Sequence, residues 1–71
     1  MAEPAKELLE AQVMLNAARQ IERKAFDRVV DLVDREADPV MIEVARASYE
    51  HASKAVDAIE ARMTKMRKVA N

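Results

Sequence analysis

Residues 34–53 read DREADPVMIEVARASYEHAS, and the Asp38-Pro39 pair inside that stretch is the strongest interruption in a sequence whose spacing is otherwise helical from end to end. Aspartate is a favoured helix N-cap and proline a favoured first helical residue. Proline also disfavours helical geometry in the residue before it. The pair therefore ends one helix near Glu36 or Ala37 and starts another at Pro39. Whether the chain turns back there or continues as a kinked rod depends on what flanks the break.

Upstream, the sequence predicts a helix over about residues 4–36. Pro4 suits the first turn, where its missing N–H would have no partner anyway, and Glu3 places negative charge at the positive end of the helix. Leu8, Ala11, Leu15, Ala18, Ile21, Ala25, Val29 and Leu32 recur at steps of three and four, which collects them on one face. Met14, Phe26, Val30 and Val33 widen that face, so contact with more than one neighbour is expected. Glu22 falls near its centre, and the expectation is a carboxylate held by Arg19, Arg23 or a base from a partner chain.

Downstream, a second helix is predicted over about residues 39–69. Ile42, Ala45, Tyr49, Ala52, Val56, Ile59, Met63, Met66 and Ala70 alternate steps of three and four without exception, the spacing of a coiled coil. Alanines alternate with larger residues in both seams, at Ala11, Ala18 and Ala25 and again at Ala45 and Ala52. Such layers let two backbones approach closely. The two arms are nearly equal, each about 45–50 Å at the helical rise per residue. Equal arms suit an antiparallel hairpin, whereas a rod would need other chains to cover both seams.

The chain contains no glycine, so the usual left-handed stop after a helix is missing, and Asp38 is expected to supply any unusual backbone geometry. A short reversal pairs positions whose numbers add to about 75–76, the geometry of a tight helical hairpin. Phe26 and Tyr49, the only two aromatic residues, should then meet, and Glu7 and Glu10 should approach Lys65, Arg67 and Lys68. The fold class is all-α: a two-helix antiparallel hairpin turning near residues 36–39, forming a single domain over residues 1–71.

One hairpin leaves half of each apolar face in water, so two are expected to pair as a dimeric antiparallel four-helix bundle, with larger assemblies and filaments open. The residues expected at the partner or oligomer interface are Leu15, Ala18, Phe26, Val29, Ala45, Tyr49, Ala52, Val56, Ile59, Met63 and Met66. Size points the same way. A chain of 71 residues rarely gains more than about 3–5 kcal/mol from one core without a disulfide, a metal or a partner. There is no cysteine to form a disulfide.

Thirteen acids against twelve bases give a net charge of −1, so no global attraction to nucleic acid or membrane is encoded. Six acids and two bases lie between Asp27 and Glu43, whereas Arg62, Lys65, Arg67 and Lys68 follow Glu60 with no acid among them. The basic end suits a helix C-terminus. MAEPAKELLE lacks a basic segment followed by an apolar one, and apolar runs stop at three residues, as in VML and VMI. No signal peptide, no membrane contact and a cytoplasmic location are expected, with export by a route that uses no cleaved signal left open.

Residues for catalysis are sparse. His51 is the only histidine, and Ser48 rather than an acid stands three residues before it, so the Glu-x-x-His pair of di-metal bundles is missing. No cysteine nucleophile and no glycine-rich phosphate loop exist, and Ser48 and Ser53 beside His51 do not make a hydrolytic triad. No enzyme activity, cofactor or metal is expected. The five methionines, with Met14, Met63 and Met66 at seam positions, suit adaptable packing or a groove for a partner helix.

The turn at READP followed by the alanine-rich arm ARASYEHASKAVDAIEARM resembles, in layout, the small hairpin co-chaperones of type III secretion systems, and more loosely their needle subunits. That resemblance implies a protein–protein interaction or assembly module, such as an adaptor, co-chaperone or structural subunit. Its partner would be a second copy or another protein. In length, turn position and alternation of alanine with larger residues the chain also looks like the Rop family of RNA-binding hairpins. That likeness implies a four-helix dimer whose basic residues, here Arg19, Arg23, Lys24, Arg62, Lys65 and Lys68, would meet nucleic acid. The acidic turn opposes it.

Overall fold

A computed structural model describes residues 3–70, with the surroundings of side chains described for residues 5–69. The side chains of Glu3, Pro4 and Ala70 lie outside the described residues. Helix α1 spans Glu3–Asp34 and helix α2 spans Pro39–Ala70, so the described chain is all-α. The helices fold back on each other as an antiparallel hairpin 54 × 15 × 12 Å in extent.

The turn works without glycine, and not through the residue expected. Glu36, rather than Asp38, adopts the left-handed conformation, with φ of 53°. The Glu36 amide donates to the Val33 carbonyl and the Ala37 amide to the Leu32 carbonyl, each at 3.0 Å. These are the two bonds of a Schellman stop. They end α1 at Asp34, two residues before the predicted boundary. Asp38 then serves as the N-cap of α2: the Val40 amide donates to its Oδ1 at 2.8 Å, and the Ile42 amide to its carbonyl at 3.1 Å.

The seam of α1 follows a stricter heptad than the one read from its apolar residues. With Leu8 as position a, positions a and d run Leu8, Ala11, Leu15, Ala18, Glu22, Ala25, Val29 and Leu32, and all are buried or half-buried. Ile21, expected on this face, is 62% exposed, and Glu22 takes its place in the seam. Hydrophobicity would favour Ile21, but one residue's rotation in a rigid helix is set by the other seven. The a and d positions of α2, from Ile42 to Met66, are likewise all covered.

The packed centre lies toward the open end of the hairpin, where Ala11, Leu15, Val56 and Met63 are buried with Leu8, Ala18, Ile59 and Met66 against them. Leu32 and Ala45 are buried nearer the turn. Phe26 and Tyr49 meet as expected, with ring centroids 5.5 Å apart and planes tilted by 56°. Among the described residues no polar side chain is buried.

Candidate interaction surface

A two-helix layer has two flanks, and these two differ. The e positions, Gln12, Arg19, Phe26 and Val33 on α1 and Arg46, Ser53, Glu60 and Arg67 on α2, line one edge of the seam. The g positions line the other: Glu7, Met14, Ile21 and Arg28 on α1, and Met41, Ser48, Ala55, Arg62 and Val69 on α2. In an antiparallel pair, e faces e and g faces g across the seam.

The e flank is bridged. Arg19 Nη2 donates to Glu60 Oε2 at 2.7 Å, joining the two helices. Gln12, Ser53 and Glu60 are half-buried there. A shallow concavity on this side is lined by Arg19, Glu22, Arg23, Phe26 and Tyr49. Among the described residues no ion pair within 4.0 Å includes Glu22, and Arg19 instead pairs with Glu60.

The g flank is open. Every one of its residues from Glu7 to Val69 is exposed, and it is apolar or small at Met14, Ile21, Met41, Ser48, Ala55 and Val69. Near the turn Ala25, Arg28, Val40, Met41, Val44, Ala45 and Ser48 line a groove, with Val44 62% exposed. At the open end Glu7, Arg62, Lys65, Met66 and Val69 line a second. Glu7 thus approaches Lys65 as the register predicts, although no ion pair within 4.0 Å forms between them. The contact of Phe26 with Tyr49 sets the register, with facing positions adding to about 75–76, so Ile21 is about level with Ala55.

Of the residues expected at an interface, Leu15, Ala45, Val56 and Met63 are buried. Ala18, Val29, Tyr49, Ala52, Ile59 and Met66 are half-buried, while Phe26 is exposed against Tyr49. All except Phe26 occupy the seam between the chain's own helices. Besides Phe26, uncovered apolar residues lie on the outer side, at Leu9, Val13, Val30 and Val40, on the e flank at Val33, and on the g side at Met14, Ile21, Met41, Val44 and Val69. Reading the 3–4 spacing of α1 strictly through Glu22 would have exposed the g flank, since it moves Ile21 out of the seam and in line with Met14.

The candidate chemistry does not converge. Arg19 and Arg23 lie on the e side and Arg62 and Lys65 on the g side at the open end. His51 is exposed, and among the described residues no three of histidine, cysteine, aspartate and glutamate group as a metal site. No helix is long and apolar enough to cross a membrane among the described residues. Compared with protein-family models, curated proteins and solved structures, the chain matches none of them.

Proposed function

We propose that the chain is a non-catalytic protein–protein assembly module that acts as a homodimer, two hairpins packed as a four-helix bundle. One observation carries this reading. The chain exposes 5749 Å², whereas a compact monomer of 8.0 kDa exposes about 4,450 Å² by the scaling of surface with mass. The surplus of about 1,300 Å² per chain exceeds the roughly 800 Å² per partner of a standard interface. Doubled, it falls among obligate homodimers.

The composition of that surplus supports protein rather than nucleic acid as its cover. Leu9, Val13, Met14, Ile21, Val40, Met41 and Val44 are between 48% and 69% exposed, and apolar area on this scale marks association with other protein surfaces. Thermal unfolding followed by circular dichroism over a range of protein concentrations tests the reading, since a subunit that binds only folded chain stabilises by mass action. The midpoint should rise with concentration. A midpoint independent of concentration would overturn the homodimer.

A further inference from the structure

We propose that the second copy docks on the g flank, and in the opposite sense, with the turn of each hairpin beside the open end of the other. The inference rests on the assembly reading above and adds the face and the orientation. The face follows from the asymmetry of the edges. The e flank is crossed by the Arg19–Glu60 ion pair and has Gln12, Ser53 and Glu60 half-covered, whereas every g residue is exposed. The g flank also has the larger share of exposed apolar side chains, at Met14, Ile21, Met41 and Val69 against Phe26 and Val33 on the e flank.

Orientation follows from charge. A closed dimer of identical hairpins has a two-fold axis in the interface, either along the helices or across them. With the axis along the helices, α1 of one copy lies over α2 of the other at the same level. Glu7 would then face Val69 and Arg35 would face Met41, setting charges against apolar groups. With the axis across them, level with Ile21 and Ala55, α1 covers α1 and α2 covers α2 in antiparallel pairs. Glu7 then faces the partner's Arg35, Met41 the partner's Val69 and Ser48 the partner's Arg62, while Ile21 and Ala55 face their own equivalents. Opposite charges meet twice, Met41 meets Val69, and the one contact of charge with an apolar group is Met14 against the partner's Arg28, where the other axis makes three: Glu7 with Val69, Met14 with Arg62 and Arg35 with Met41. Arg35, seven residues after Arg28 and just past the end of α1, continues the g flank into the turn; its side chain is 66% exposed, and its bond to Asp31 leaves further guanidinium donors free.

The chain has no cysteine, so each introduced thiol reports alone. Under mild oxidation of the full chain, Ala55→Cys and Ile21→Cys should each form a covalent dimer, because residues on the two-fold come within the span of a disulfide. Val13→Cys, on the outer side, and Ser53→Cys, on the e flank, should not. Ala55→Glu should weaken the wild-type dimer at least about 100-fold by setting two like charges against each other inside the contact. Cross-linking only in a mixture of Ile21→Cys and Ala55→Cys chains would overturn the orientation. Cross-linking at Val13→Cys or Ser53→Cys instead, or no cross-link at either Ile21→Cys or Ala55→Cys while the wild type scatters as a dimer, would overturn the face and leave the assembly reading standing. A wild type of 8.0 kDa at every concentration would overturn both.

Discussion

Single residues define where the chain turns and where its seam is weak. Glu36 holds the left-handed conformation that a side chain with a Cβ resists by about 1–2 kcal/mol. Glu36→Gly relieves that strain while freeing the unfolded chain, and a net gain of about 1 kcal/mol is expected in urea unfolding. Asp38 acts oppositely, since its carboxylate holds the Val40 amide, and Asp38→Ala should cost about 1 kcal/mol in the same measurement. The Asp-Pro pair made the start of α2 legible in the sequence. The left-handed stop was not, because nothing in the residue type marks Glu36 over Asp38; the choice was made by the hydrogen bonds from Glu36 and Ala37 back to Val33 and Leu32. Glu22 is the other residue with a testable cost. It fills a seam position, and Glu22→Leu should stabilise the hairpin by about 1 kcal/mol, half the transfer energy of a fully buried leucine.

The elements were legible to the extent that their repeats were regular. The unbroken spacing of α2 gave its seam correctly from Ile42 to Met66, all covered by α1. In α1 a charged residue stands at a seam position and an apolar one beside it, so a search for apolar residues slips by one at Ile21. Heptad geometry overrides composition there. The pairing of Phe26 with Tyr49 followed from turn position alone, since two helices joined by a short loop have only one register. Ala45, 5% exposed, is a small residue at a buried seam position. Ala45→Leu should overpack that layer and cost about 1–3 kcal/mol, visible as a lower unfolding midpoint. The Arg19–Glu60 pair is a different case. Its side chains are 53% and 45% exposed, and solvent screening limits the expected loss in Glu60→Gln to about 0.2–1 kcal/mol.

At the scale of the whole molecule, the hairpin is thinner than a compact chain of its length. Its radius of gyration is 16.1 Å, against about 11 Å for a compact chain of this length. A single layer of two helices covers only one stripe of each, which leaves Met14, Ile21, Met41 and Val44 in water. The sequence carried this surplus in its wide apolar face, but not its location, because Ile21 was read into the seam rather than in line with Met14. The most direct test of the account is the mass of the wild-type chain by light scattering over a wide dilution series. A sharp value of twice 8.0 kDa, giving way to the single chain only at high dilution, is what the account predicts. A single-chain mass at every concentration, or one that grows without limit, would contradict it.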